Sequence, residues 1–308
     1  MGIRNLGVRD VGLSEFNLAP DCTPNEAILR IASLFTTAGI EDARREARLL
    51  VLAALDLSMA VLITQGTCPL GEAAPRLAGM ARRRAAREPL SRILGTRGFY
   101  GQMFRLNAAT LDPRPETEHL VEGVLHALTP EKRAAPLRLL DLGTGSGIIL
   151  ITLVLHLPEA TGLGVDIAPD AVEMACENAG RLGLGARATF RINDLFAGID
   201  ERFDIIVSNP PYIPSAGLPG LMPEVQNHDP ALALDGGADG LDFYRRIIAG
   251  AKDHLKPGGL IALELGIGQS EAVTALLQTA GFVQTRVLPD LAGIPRVLLA
   301  GGCHERTA

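Results

Sequence analysis

The strongest constraint on the fold is a short glycine-rich turn set between two apolar stretches. Asp141-Leu142-Gly143-Thr144-Gly145-Ser146-Gly147 follows Leu139-Leu140 and precedes an apolar run that reaches Leu157. Glycines at alternate positions let a backbone turn sharply and approach a ligand closely. A helix that starts in such a turn directs its free N–H groups at whatever lies there. From about residue 138 the chain alternates strand and helix. Strands are expected at 139–141, 162–166, 188–192, 203–208 and 260–264, with a helix from Pro169 to about Leu182. Residues 282–288 and 296–300 read as a final antiparallel pair. Such βαβ alternation dictates a mainly parallel sheet with helices on both faces.

The chain before residue 138 has a different pattern. Residues 1–20 read as a loose extension. Thr23-Pro24-Asn25-Glu26 is a capping box with proline at the first helical position, and Ile28, Ile31, Ala32 and Phe35 follow at helical spacing. Gly39 closes that helix. Further helices are expected over 41–55 and 73–87, so residues 21–90 form a small helical domain for substrate recognition. Residues 91–115 read as a linker, with a hairpin around Tyr100-Gly101 and a stiff Asp112-Pro113-Arg114-Pro115 segment. Glu116 or Thr117 is expected to cap the next helix, and residues 116–308 are the catalytic domain.

Composition narrows the function. Of 308 residues 47% are hydrophobic and 21% charged, the balance of a globular chain. Lys and Arg number 29 against 35 Asp and Glu, a net charge of −6 that disfavours a general grip on nucleic-acid phosphates. The four cysteines are scattered and the six histidines lack ligand spacing, which argues against zinc or a disulfide framework. The N-terminus lacks a signal-peptide apolar region, and the longest apolar run is too short for a membrane span. A cytoplasmic protein is expected.

About nineteen residues after Gly147, Asp166 ends the second strand, where a carboxylate can accept both ribose hydroxyls of an adenosine. The glycines are spaced G-x-G-x-G, with Ile148 at the third glycine position of the dinucleotide fingerprint G-x-G-x-x-G. An acid, Asp141, stands just before them. This suits S-adenosylmethionine, which has no pyrophosphate but carries a sulfonium and an ammonium. After the third strand, Asp194 is placed to meet the adenine amino group, with Leu195 or Phe196 on its ring.

Ser208-Asn209-Pro210-Pro211-Tyr212 ends the fourth strand, the end at which open α/β sheets bind ligands. Proline has no N–H, so at Pro210 the backbone offers only an acceptor. The side chain of Asn209 adds another. Two acceptors can hold both hydrogens of one planar NH2 group, and Tyr212 can pack against it. Such a nitrogen is a poor nucleophile, because its lone pair is delocalised. Aligning it with a methyl donor can remove roughly 7–11 kcal/mol of barrier. The plain alternative for each motif is a rigid turn that binds nothing.

Asn209-Pro210-Pro211-Tyr212 taken with Gly143–Gly147 resembles the N5-glutamine methyltransferases, specifically the HemK/PrmC release factor methyltransferases. Adenine-N6 DNA methyltransferases share Asn-Pro-Pro-Tyr, so other segments narrow the resemblance. These are Arg97-Gly98-Phe99-Tyr100-Gly101, Pro113-Arg114-Pro115-Glu116-Thr117-Glu118, Glu224-Val225, the segment from Asp229 to Gly237, and Gly240-Leu241. The resemblance spans about residues 25–300. It implies a class I S-adenosylmethionine-dependent methyltransferase, Rossmann-like with a mostly parallel seven-stranded sheet, a small N-terminal helical domain and a connecting β-hairpin. It further implies methylation of the glutamine in the Gly-Gly-Gln motif of class 1 peptide chain release factors, with no metal, membrane or direct nucleic-acid contact. Carried over by position, Asn209 and Pro210 hold the glutamine amide, while Pro211 and Tyr212 shape its pocket. Gly143, Thr144, Gly145, Ser146, Gly147, Asp166, Asp194, Leu195, Phe196, Asn209 and Thr117 face the cofactor. Leu195 departs from the tryptophan of some members, and Asp112 from a frequent aliphatic residue.

The rival readings are a glutamine methyltransferase of a ribosomal protein, an adenine-N6 nucleic-acid methyltransferase and a silent cofactor-binding scaffold. Arg82, Arg83, Arg84 and Arg87 read as a solvated helix face or as a patch for an acidic partner. Glu264 reads as a strand end or as a residue supporting the site.

Overall fold

The structure, a computed structural model, describes residues 15–303; the expectations for residues 1–14 and His304 fall outside them. The chain forms two compact units. One holds the chain up to Gly95 together with the Pro223–His228 helix, and the other holds the remainder. Among the described residues no helix is long and apolar enough to cross a membrane.

In the helical unit the capping box forms as read: Thr23 Oγ1 accepts from Glu26 N at 3.3 Å, and Glu26 Oε2 accepts from Thr23 N at 2.9 Å. Helices follow at Pro24–Thr37, Ala43–Leu55, Met59–Gln65, Ala74–Ala85 and Leu90–Leu94. The third, capped by Ser58, was not expected. Ile31, Phe35, Leu50, Val51 and Leu77 build the core, and Leu18 joins it from the segment read as loose.

The arginine cluster is neither a solvated face nor a patch awaiting a partner. Arg84 is only 6% exposed and pairs with Glu46 and with Glu224, its Nη1 lying 3.2 Å from Glu224 Oε1. Arg87 Nη2 donates to the same Glu224 at 2.9 Å, and its Nη1 to the carbonyls of Ala38 and Gly39. Arg83 pairs with Glu88, and Arg82 donates to the carbonyl of Phe16. The alanine-rich face of Ala74–Ala85 draws Arg84 inward, and a buried guanidinium needs carboxylates and carbonyls around it.

The second unit opens with a hairpin, β1 (Thr96–Phe99) and β2 (Gln102–Arg105). Its two-residue turn places Tyr100 and Gly101 at positive φ, the geometry whose twist matches paired strands. Phe99 and Phe104 meet edge to face, 6.3 Å apart, in the core of this unit. Asp112 is buried beside Arg97, and its backbone N–H donates to Asp229, which also takes Arg114. The acid that replaces an aliphatic residue thus sits in an ionic cluster.

Seven strands follow: β3 (Arg138–Leu142), β4 (Thr161–Asp166), β5 (Ala188–Ile192), β6 (Phe203–Ser208), β7 (Leu255–Glu264), β8 (Phe282–Pro289) and β9 (Pro295–Cys303). Their order is β5-β4-β3-β6-β7-β9-β8, with the last two contacts antiparallel as expected. Alternate residues face opposite sides, and both sides are covered. Leu139, Ile205, Val207 and Ala262 pack toward the Glu118–Ala127 and Ile148–His156 helices, whereas Leu140, Ile206, Ile261 and Leu263 pack toward Asp242–His254 and Ser270–Thr279. The order reverses between β3 and β6, and that switch point opens a crevice at their C-terminal ends.

Candidate active site

The two motifs meet at this crevice. Asp141 pairs with Val207 in the β3–β6 register, so the glycine turn and Asn209 leave adjacent strands side by side. Ser208 Oγ donates to the Leu142 carbonyl at 2.6 Å and ties the two exits together. Gly143 and Thr144 both donate their N–H groups to the Val165 carbonyl at 2.9 Å, anchoring the turn on β4. Asn178 holds its far end, donating to the Ser146 carbonyl at 3.0 Å while its Oδ1 accepts Arg105 N from the hairpin. Sequence reasoning missed Asn178, because its partners lie on three separate segments.

Gly143, Gly145 and Gly147 all have positive φ, and a Cβ on either of the first two would meet nothing within 4 Å. The backbone there lines open space. Asp166 caps β4, where its Oδ2 accepts from Gly145 N and its Oδ1 from Ala168 N. Each carboxylate oxygen retains acceptor capacity for a hydroxyl. Asp141 is wholly buried; Thr144 Oγ1 donates to its Oδ2 at 2.7 Å, and its Oδ1 has no hydrogen-bond partner. Burial, reinforced by the nearby Asp166 charge, pushes the Asp141 carboxyl up to about 7. An unmet buried acceptor, an open glycine cradle and a diol-type acid fit a ligand with an ammonium and a ribose. S-adenosylmethionine has both.

On the substrate side, Asn209 Nδ2 donates to Thr117 Oγ1 at 3.4 Å. Thr117 has helical dihedrals and makes no side-chain cap, so the capping role read for it is corrected: its hydroxyl faces Asn209 instead. Glu264 stands one residue beyond the Ser208–Leu263 pair of β6 and β7, across from Asn209. Pro210 is buried, Pro211 half-buried, and Tyr212 packs against the core below Asp242–His254. Burial and the Glu264 charge push the Tyr212 hydroxyl up to about 12, so it stays neutral. Gln269, also missed, braces this loop: Nε2 donates to the carbonyls of Tyr212 (2.9 Å) and Gly240 (3.2 Å), while Oε1 accepts from Gly266 N.

The adenine-end residues are differently engaged. Asp194 accepts from Arg246 with both oxygens, at 2.7 and 2.8 Å. Leu195 has φ 49° and packs toward the core. Phe196 stacks on His254 with ring centroids 4.4 Å apart.

A seven-stranded sheet of this order, with a glycine cradle and an acceptor loop at its switch point, defines a class I methyltransferase. A methyltransferase domain model matches residues 135–273, and a PrmC N-terminal domain model matches residues 26–95. A release factor glutamine methyltransferase of Bradyrhizobium diazoefficiens is 47% identical over 88% of this chain and 92% of its own. One of Rhodospirillum rubrum is 50% identical over 85% and 80%. The chain belongs to the release factor glutamine methyltransferase family. Among solved structures, the hMettl16 catalytic domain in complex with MAT2A 3'UTR hairpin 6 shares the fold at TM-score 0.52, with 17% identity over 72% of this chain and 81% of that one.

Proposed function

We propose that this protein transfers a methyl group from S-adenosylmethionine to the side-chain amide nitrogen of the Gly-Gly-Gln glutamine in class 1 peptide chain release factors. The observation that carries the reading is the joining of the glycine cradle to the Asn209–Pro210 acceptors by the Ser208–Leu142 hydrogen bond. The names of its relatives supply the substrate class.

Gly143 to Gly147 and Asp166 hold the cofactor, with Asp141 beneath its ammonium, Thr117 and Asn209 along its methionine end, and Asp194, Leu195 and Phe196 toward the adenine. Bound there, S-adenosylmethionine supplies a methyl group on an electron-poor sulfur. Asn209 Oδ1 and the Pro210 carbonyl each accept one hydrogen of the substrate NH2. That fixes the nitrogen and favours pyramidal geometry over the planar amide. Pro211 and Tyr212 close the pocket around the amide plane. Nitrogen becomes acidic only as its new bond forms, so no strong base has to act first. The acidic net charge suits a protein partner better than a nucleic-acid backbone.

The test is mass spectrometry of a purified class 1 release factor incubated with enzyme and S-adenosylmethionine, beside its Gly-Gly-Gln→Gly-Gly-Ala variant. One added methyl on the first and none on the second is expected. Label on a ribosomal protein or duplex DNA instead would sink the substrate assignment and leave the fold and cofactor intact.

A further inference from the structure

Resting on the function above, we propose that Glu264 is a positioning residue which, through Thr117, decides which end of the Asn209 amide faces the substrate nitrogen. The two ends of that amide have nearly the same shape and opposite chemistry. Only the oxygen can accept a hydrogen from the substrate NH2. The nitrogen would set hydrogen against hydrogen and expel it. Something must therefore hold the NH2 end away from the substrate.

The structure provides that hold. Asn209 Nδ2 donates to Thr117 Oγ1. A hydroxyl accepts most readily when its own proton has somewhere to go, and both Thr117 and Asn209 face the Glu264 carboxyl and favour its charged form. An ionised carboxylate only accepts. It is therefore the fixed end of the run from Asn209 through Thr117 to Glu264, and it sets the direction of every bond in it. A protonated Glu264 carries a donor of its own, can reverse the run, and frees the amide to turn over. The main chain around Glu264 is rigid: Tyr244 Oη donates to its carbonyl at 2.8 Å, and it pairs with Val297 in β9.

The neighbours put this switch in a working range. Glu264 is 2% exposed, and its Oε2 has no hydrogen-bond partner. Burial raises its carboxyl, Glu116 adds to the rise, and Arg296, Thr117 and Asn209 oppose it, for a net position of about 7. Tyr212 and Tyr244, which also lie near it, are both held neutral by burial. Arg296 is shared with Asp290, 3.1 Å away, so it compensates Glu264 only in part.

Two readouts test the inference. The first is single-turnover methylation of a release factor at saturating S-adenosylmethionine across pH 5.5–9. Wild type is expected to lose rate on the acid side, and E264Q to lack that limb. E264Q should also be slower at high pH by roughly tenfold to a hundredfold, as expected for a misplaced reacting group, with unchanged cofactor affinity. An acid limb that persists in E264Q, or full activity in that variant, overturns the inference. The second readout needs no substrate: the side-chain NH2 resonances of Asn209 in 15N-asparagine-labelled protein, assigned by their loss in N209A. They should titrate in wild type and not in E264Q. T117V, which cuts the link while keeping Glu264, should flatten the same titration should E264Q fold poorly. Resonances that titrate alike in all three proteins refute the inference. Absence of release factor methylation by wild type would instead overturn the substrate assignment, and the resonances would still decide the role of Glu264.

Discussion

Gly145 donates its backbone N–H to Asp166 Oδ2 at 2.9 Å, so the acid at the tip of β4 holds the turn at the tip of β3. One carboxylate thereby shapes the cradle and, in the proposed complex, grips the ribose. Asp166→Ala should lose both actions. Hydrogen bonds to a charged group are worth about 1.5–3 kcal/mol, or roughly a 10- to 150-fold weaker cofactor affinity. Calorimetric titration with S-adenosylmethionine checks this, and an unchanged dissociation constant would remove Asp166 from the ribose site.

Asn209→Ala removes one acceptor from the substrate NH2 and leaves the glycine cradle alone. Loss of a single positioned group of this type costs on the order of 100- to 1,000-fold in rate. The rate should fall by that much under saturating conditions, while cofactor affinity holds within the scatter of the titration. A variant that keeps its rate would leave the acceptor pair without a role.

Asp141 makes cofactor affinity depend on pH. Its carboxyl sits at about 7 instead of 3.8, chiefly through burial. Only the ionised form attracts an ammonium, so affinity should weaken as pH falls through 7. Stability of the cofactor-free protein should move the other way. A carboxyl raised by folding contributes stability that is complete below its unfolded value and is lost as pH rises to its folded one, at about 1.4 kcal/mol per unit. Asp141→Asn should therefore raise Tm at pH 8, flatten the stability profile between pH 4 and 7, and bind cofactor poorly. Thermal unfolding against pH, with and without cofactor, tests all three.

Arg84→Met strips Glu46 and Glu224 of a buried shared cation. Breaking a buried ion pair from one side costs about 3–5 kcal/mol. Glu224→Ala should cost less, about 1–2 kcal/mol, because Arg84 retains Glu46. Urea titration of both variants checks the order, and the reverse order would show that Glu224 is the main partner of Arg84.

Gln269→Glu keeps shape and removes the donor that holds the Tyr212 and Gly240 carbonyls. The new charge faces two carbonyl oxygens, so Tm should fall along with the methylation rate. Gln269→Ala, which has no such charge, should be the milder change in Tm.

The strands were legible because each sheet face is covered and the apolar runs are continuous, as in Ile205-Ile206-Val207. The start of β7 was not. Lys256-Pro257-Gly258-Gly259 reads as a turn, yet Leu255 pairs with Phe203 before an irregularity in the ladder resets the register at Ile205 and Leu260. Asn209 and the glycine turn were legible from chemistry alone, since few residue types offer those acceptors or that backbone. Their supports were less so. Glu264 reaches Asn209 only once β6 and β7 are known to be neighbours in a particular register, and no local pattern carries that. Thr117 looked like a cap because threonine before a helix usually is one. Arginine periodicity marked a surface, because the carboxylate that buries Arg84 lies 140 residues away.

That separation has a consequence for how the molecule is made. The N-terminal helices emerge from the ribosome first, with Glu46 already at hand for Arg84. Glu224 arrives only after β3 to β6 have been synthesised. Until then Arg84 and Arg87 share a cavity with one carboxylate fewer than the finished protein provides. The first unit to appear is thus among the last to be completed, and a fragment ending at Gly95 would inherit the deficit permanently.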